Sequence, residues 1–518
     1  MKVNQLKAGA VLSYLYLGLG TVISIAYTPF MLRLLGQSEY GLYNLVASVV
    51  SYLGLLNFGF GHAYIRYYSR YKVEEARQEI ARLNGMFLVI FSVIGVVAIL
   101  AGMVLVSYTG AILGEELTAT ELSRARILMA IMVLNIAFTF PGLVFNSHIT
   151  ANERFVFQKS LQVIRVIANP FLVLPILIMG YGSVGMVIVI TLLNLSIEIS
   201  HVIFCFRKLK MRFSFQSFDM GLLREMAIFS SFIFMNLVVN QINWNVDRFI
   251  LGRFHGTIAV ATYSLAAQLN TYYLSISTAI SNVFIPRVHQ MVSAHDDNRE
   301  LTSLFTRVGR LQFMVLALIC LGLLFFGRPF IQLWAGEDYG ESYYIALLLI
   351  IPVTIPLIQN IGIEIQRAKN MHKFRSWVYL FIALGNIGIT IPLVKAFGGV
   401  GAALGTAIAL IIGNVLIMNW YYHKRVGLNM LIFWKEIGRI LPALLIPIMS
   451  GLLIHYYVDL SVVWMMALAG AAFVLLFAAS IWRWGMNAGE KELFAKPLQS
   501  VLARAGLRRR ERDRNQPG

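Results

Sequence analysis

Apolar stretches recur along the whole 518-residue chain, and their length sets the first expectation. A helix crossing a bilayer core needs about 20 consecutive apolar residues, because lipid offers no partners to backbone N–H and C=O groups. Fourteen stretches meet or approach that length: 8–32, 40–61, 83–108, 127–147, 161–179, 183–206, 226–246, 257–285, 311–327, 343–363, 377–394, 399–422, 440–458 and 461–482. Short polar loops separate them, and no segment is long and polar enough for a separate extramembrane domain. The pattern predicts an all-α polytopic membrane protein of about 14 transmembrane helices. The first stretch is too long for a cleavable leader, and a second span follows at once.

Polar residues inside these spans fall on helical periods. Asn236, Asn240, Asn243 and Asp247 are spaced along one face of the seventh span. Ser264, Gln268, Thr271, Ser275, Thr278 and Asn282 do the same on the eighth, and Asn44, Ser48 and Ser51 on the second. Lipid cannot satisfy such faces, so they are expected to line a hydrated cavity, although isolated members are accounted for by hydrogen bonds between helices. Only Arg165 and Glu198 place formal charge within the spans. Glu198 reads either as an ion-coupling carboxylate or as the counter-ion of an arginine, with His201 one turn away.

The spans also repeat. The segment from Ala151 (ANERFVFQKSLQVIRVIANPFLVLPILIMGYGSVG) returns from Ala368 (AKNMHKFRSWVYLFIALGNIGITIPLVKAFGGVG). Ala151/Ala368, Phe157/Phe374, Asn169/Asn386 and Pro175/Pro392 share an offset of 217, and Gly182/Gly398, Val184/Val400 and Gly185/Gly401 follow at 216. Tyr43/Tyr263, Leu45/Leu265, Ala47/Ala267 and Tyr52/Tyr272 hold an offset of 220, and Arg33 to Gly36 reads against Arg248 to Gly252. Two parallel, pseudo-symmetric six-helix lobes follow, residues 1–210 and 211–428, with two added helices in 429–485 and a basic tail in 486–518. Duplicated halves are the signature of carriers that rock about a central site.

Charge then fixes the expected orientation. With a cytoplasmic N-terminus, the cytoplasmic segments hold 35 of the 43 lysines and arginines, so both termini are expected inside a cytoplasmic (inner) membrane. The formal charge of +18 is therefore read as topology, not as a sign of nucleic acid. Charged residues make up 13% of the chain, about half the usual share of a soluble protein, and mean hydropathy is +0.71. The run Arg508 to Arg514 reads as a solvated end and Asp296-Asp297 as a solvated loop.

Cations come in pairs at the span ends. Arg33 and Arg248 lie at expected outer ends, Arg66 and Arg287 at inner ends, and Arg165 lies within the fifth span. They read as an anion path or, at the ends, as snorkelling residues. Cys205 and Cys320 are buried hydrophobes by position, and no Cys/His cluster has metal spacing. No GxxxxGK[ST] phosphate loop is present. These readings favour a transporter without a cofactor over an enzyme.

The stretch Leu34-Leu35-Gly36-Gln37-Ser38-Glu39-Tyr40-Gly41-Leu42-Tyr43, followed by Asn57-Phe58-Gly59 and by Phe397-Gly398-Gly399-Val400-Gly401, resembles the Wzx-like polysaccharide flippases. These belong to a superfamily that also holds drug/cation antiporters and the lipid II flippase. The resemblance implies two six-helix lobes and a lipid-linked oligosaccharide, carried on undecaprenyl pyrophosphate and moved from the inner to the outer leaflet of the bilayer. It also points to polysaccharide polymerase and chain-length components as partners. A cation antiporter would need a membrane carboxylate in the first or eighth span, and none is there. A lipid II flippase stays an alternative, and a membrane glycosyltransferase lacks a catalytic region here.

Overall fold

The computed structural model describes residues 4–114, 116–216, 218–294 and 297–492, so positions 493–518 of the basic tail, Glu115 and Asp296 lie outside the described residues. The fold is helical, with no strand among the described residues. The helices are α1 (Gln5–Leu35), α2 (Gln37–Val50), α3 (Phe60–Val73), α4 (Arg77–Ser107), α5 (Thr109–Leu113), α6 (Ala119–Ala151), α7 (Phe155–Ile178) and α8 (Gly182–Arg207). They continue as α9 (Met220–Ala294), α10 (Asn298–Ala335), α11 (Ser342–Ile358), α12 (Asn360–Ala368), α13 (His372–Leu410), α14 (Asn419–Tyr421), α15 (Met430–Gly438), α16 (Leu441–Tyr457) and α17 (Val463–Ser480).

Among the described residues, 11 helical segments are long and apolar enough to cross a membrane, or 12 counting one bent pair as a span. That is fewer than the fourteen expected. The difference lies in α9, 75 residues long, and in the 54-residue segment Lys373–Val426 that contains α13. At about 1.5 Å per residue each is much longer than a ~30 Å bilayer core. Each also contains a non-helical glycine, Gly256 (φ 71°) in α9 and Gly398 (φ 55°) in α13. A residue without Cβ reaches this left-handed region at little cost, so the chain turns there. These are the joints between expected spans seven and eight, and eleven and twelve.

Left-handed backbone recurs in the register of the sequence repeat. Gly36/Gly256, Gly114/Gly336, Glu153/Asn370, Gly182/Gly398 and Lys210/Gly427 all have positive φ, each pair separated by 216 to 222 positions. This corrects one pairing. Gly36 answers to Gly256, not Gly252, so Arg33 answers to Arg253, each standing three residues before its turn.

The chain forms two compact units that cut across the expected lobes: Met1–Ser275, Trp334–Pro352 and His372–Ile417 in one, Ile276–Leu333, Val353–Met371 and Met418–Gly518 in the other. In the first, α4 packs on α6, α1 on α7, and α6 on α8. Its core includes the fully buried Tyr64, Phe87 and Phe91. The Tyr64 hydroxyl lies 2.6 Å from Asn84 Oδ1 and 2.8 Å from His148 Nδ1, so His148 serves as a packed hydrogen-bonding residue. In the second unit, Phe325 of α10 packs against Phe473 of α17 beside Ala443 and Leu444 of α16.

Candidate functional site

A cavity of about 720 Å³ opens within the first unit, walled by α1, α2, α7, α8 and α9. Its volume lies in the range of small-molecule sites, roughly 300–1,000 Å³. Of the residues expected from sequence, Asn44, Arg165, Arg248, Ser264, Gln268, Thr271 and Ser275 line it. Arg165 makes no hydrogen bond or ion pair among the described residues. Arg248 bonds only locally, from Nη1 to Trp244 O (3.3 Å) and Asn245 Oδ1 (3.1 Å), and its Nε has no partner among the described residues. The Ser264 hydroxyl is likewise buried without a partner among those residues. The lining contains no aspartate, glutamate or lysine. Two guanidinium groups thus face a polar space with no compensating acid in its wall.

Gln268 is the hub of the wall. Its Nε2 donates to Tyr272 (2.6 Å), Thr28 (3.0 Å) and Ser24 (3.4 Å), and its Oε1 accepts from Tyr40 (3.4 Å). The Ser24 and Tyr272 hydroxyls lie 2.5 Å apart. These bonds tie α1 and α2 to α9. The sequence reading missed α1, which contributes Tyr16, Thr21, Ser24, Tyr27 and Thr28, and it missed Tyr40, Tyr43 and Asn169. The signal was present: Thr21, Ser24 and Thr28 are spaced by three and four, as on one helix face.

Other expected residues lie elsewhere. Asn236, Asn240 and Asn243 do not line the cavity. Asp247 is buried in a separate cluster, where its Oδ2 accepts from Tyr263 (2.5 Å) and Thr406 (2.8 Å). Behind Thr406 stand Asn386 (3.4 Å) and then Thr390 (3.1 Å). Asp247 Oδ1 has no partner among the described residues. The reason is angular: one residue along a helix turns the side chain by about 100°, so Arg248 faces the cavity and Asp247 faces α13. Ser48 bonds back to Leu45 O (2.7 Å), and Ser51 lines a smaller cavity of about 180 Å³. Thr278 and Asn282 belong to the second compact unit. Arg33 is exposed at the end of α1, and Arg66 lays its guanidinium 4.6 Å from the Phe229 ring centre, while Arg287 is exposed in the second unit. Glu198 lies 3.3 Å from His201 Nδ1 and does not line the cavity.

At the end marked by Gly36 and Gly256, polar bonds close the first unit. Glu121 Oε1 accepts from Ser38 (2.7 Å) and Thr257 (2.8 Å), joining α6 to α2 and α9. Glu39 pairs with Arg124 and accepts from Ser183 N at 2.8 Å. Gln37 donates to Asp338 O (3.1 Å). Arg253 Nη1 donates to Ala111 O (2.7 Å) and Ile112 O (3.1 Å), capping the end of α5. Gly41 permits the crossing, because a Cβ there would sit 1.8 Å from Thr257 O.

Comparison with known proteins agrees with this architecture. Residues 6–292 match the family model described as polysaccharide biosynthesis protein. A Shigella flexneri protein named as a candidate O-antigen transporter is 22% identical over 419 residues, 78% of this chain and 94% of that protein. The uncharacterized membrane protein EpsK of Bacillus subtilis (strain 168) is 22% identical over 432 residues, 81% and 83% of the two chains. The lipid II flippase MurJ in an inward closed conformation superposes with TM-score 0.72 at 16% identity, covering 92% of this chain and 98% of MurJ. An inward-facing MATE multidrug transporter superposes with TM-score 0.62 at 12% identity, covering 80% and 96%. These likenesses show the fold of polytopic exporters.

Proposed function

The chain belongs to the polysaccharide biosynthesis protein family of membrane transporters, and from that premise we propose that it flips undecaprenyl-pyrophosphate-linked oligosaccharide from the inner to the outer leaflet by alternating access. One observation carries the reading: the cavity wall holds Arg165 and Arg248 and no acid. Arginine forks receive phosphate oxygens in a fixed geometry, and a wall of hydroxyls and amides suits sugar. The same lining disfavours a cation antiporter, whose cargo would meet two guanidinium groups and no acid in the wall. The prenyl tail stays in lipid while the head group enters.

In this reading residues 1–210 and 211–428 are the two lobes, residues 429–485 are an added helix pair, and both termini are cytoplasmic. The bonds around Glu121 then form the closed outer gate. Energy coupling falls to Asp247 instead of Glu198, since Asp247 is buried with one carboxylate oxygen left unpaired among the described residues. Polymerase and chain-length components would take up the cargo after transfer.

The test is to delete the chain in its host and follow prenyl-linked intermediates and exported polymer. Inward-facing prenyl-linked oligosaccharide accumulates, and export returns on complementation. Arg165→Gln and Arg248→Gln each lower export at least about tenfold at normal protein level, as expected for one lost charge-assisted pair. Unchanged export by both variants would overturn the assignment. If the intermediate that accumulates is instead lipid II, the cargo is the cell-wall precursor.

A further inference from the structure

A second polar cavity lies in the second compact unit and has no part in the transport site. It measures about 750 Å³ and lies between the first turns of α10, the start of α15 and the stretch after α17. Its floor is Arg310, whose side chain is 5% exposed. Arg310 donates from Nε and Nη2 to Glu490 (2.6 and 2.9 Å), from Nη2 to Gly485 O (2.8 Å), and from Nη1 to Glu436 O (2.6 Å). Glu490 thus neutralises Arg310, and Glu436 also pairs with Arg439. With those acids matched, Arg299 and Arg307, both exposed, set the sign of the cavity wall.

Two further features of the cavity suit an anion. Thr306 is 7% exposed, lines the cavity, and its hydroxyl has no partner among the described residues. The N-terminus of α15 lies in the same wall: Asn429 caps it by accepting from Ile432 N (3.1 Å), and Asn429 N donates to the Thr302 hydroxyl (3.2 Å). Helix N-termini carry partial positive charge.

The surroundings say where the anion comes from. Leu431 and Ile432 at the start of α15 are 74% and 49% exposed, and Trp482 and Trp484, just before Gly485, are 43% and 59% exposed. Exposed tryptophans beside an amphipathic helix mark the depth of lipid head groups. By the distribution of positive charge this end is expected to face the cytoplasm, where anionic lipid is enriched. We propose that this cavity binds the phosphodiester head group of an anionic membrane lipid, held by Arg299, Arg307 and the Thr306 hydroxyl. The site is independent of the cargo.

The full chain is purified in neutral detergent and titrated with phosphatidylglycerol or phosphatidylcholine of equal chain length, with bound lipid counted by native mass spectrometry. The parent retains phosphatidylglycerol in preference to phosphatidylcholine. The double variant Arg299→Gln/Arg307→Gln weakens phosphatidylglycerol binding about thirtyfold and leaves phosphatidylcholine unchanged, given roughly 1 kcal/mol per interfacial cation. Thr306→Val weakens it at least about tenfold, the effect of losing one buried hydrogen bond to a charged acceptor. Equal binding of the two lipids by the parent, or double-variant binding within about twofold of the parent, overturns the proposal. So does a result in which inorganic phosphate stabilises the lipid-free chain through these arginines while phosphatidylglycerol adds nothing, which would make it a free-phosphate site.

Discussion

The bonds around Glu121 make a quantitative claim about the closed end of the first unit. Glu121 has two sets of partners. Thr118 donates to Oε2 through N (2.9 Å) and Oγ1 (2.8 Å) and caps α6 locally, so these bonds persist whichever way the end moves. Ser38 (2.7 Å) donates to Oε1 from α2, in the same proposed lobe as α6, so that bond persists as well, whereas Thr257 (2.8 Å) donates to Oε1 from α9 of the other lobe, so this bond breaks on opening. A hydrogen bond to a carboxylate contributes about 1.5–3 kcal/mol when buried, and partial solvent exposure lowers this to about 1 kcal/mol each. Glu121→Ala therefore favours the open state by about 1 kcal/mol, or about fivefold. Thr257→Val shifts it by the same amount, and the two changes together do no more than either alone, because both remove the same bond between the lobes. Spin labels on Thr120→Cys and Ile258→Cys, both exposed, report the separation across the bonds once the free Cys205 and Cys320 are replaced. Thr118→Ala is the control, since it weakens the cap but not the cross-links. A distance distribution in Glu121→Ala identical to the parent would refute this account, as would an equal shift in Thr118→Ala.

Other expectations follow from the same geometry. Gly41→Ala forces α2 and α9 apart, because its Cβ would meet Thr257 O at 1.8 Å and Ala261 N at 3.2 Å; the same spin-label pair should show a longer distance. Arg66→Gln and Arg287→Gln leave export within about twofold of the parent at matched protein level, since neither side chain lines the cavity. Arg310→Ala leaves Glu490 buried without its partner and costs about 3–5 kcal/mol, read as a lower melting temperature in detergent. The apolar pair Arg310→Met/Glu490→Leu recovers most of that loss, because it removes both buried charges together.

Much of the fold was legible because lipid leaves the backbone few choices. Apolar length located the helices, and the two long segments fell short of the expected span number only where Gly256 and Gly398 turn the chain without ending its helical hydrogen bonding. Register was less secure. Arg33-Leu34-Leu35-Gly36 reads tolerably against Arg248 to Gly252, yet the left-handed turn residue decides the alignment, and that residue is Gly256. In the site, polar spacing found the α9 wall but not the α1 wall. Tyr16, Tyr27, Tyr40 and Tyr43 count as apolar or interfacial by composition, and only packing reveals that they face a cavity.

The larger lesson concerns which cations matter. The sequence reading set Arg165 beside two repeat-related pairs, Arg33 with Arg248 and Arg66 with Arg287. In the corrected register Arg33 pairs with Arg253, and Arg253 spends its guanidinium capping α5. Arg248 corresponds to Thr28, and Arg165 at an offset of 217 corresponds to Ile382. Both cavity arginines therefore stand where the two copies differ. Gln268 behaves likewise: it reaches Ser24, Thr28 and Tyr272, whereas its counterpart Ser48 bonds back within its own helix. A physical reason is available. Duplication can preserve backbone turns, which impose the same φ on either copy, but the proposed head group, with a phosphate end and a sugar end, would not satisfy two equivalent half-sites at once. A pseudo-symmetric scaffold that binds an asymmetric cargo must break its symmetry where the two touch. Restoring it offers a direct trial of that reasoning. Thr28→Arg would add a third guanidinium beside Gln268, and Arg248→Thr would return both copies to threonine. If either variant exports polymer as well as the parent, then the positions of the cavity arginines do not matter and the asymmetry is incidental.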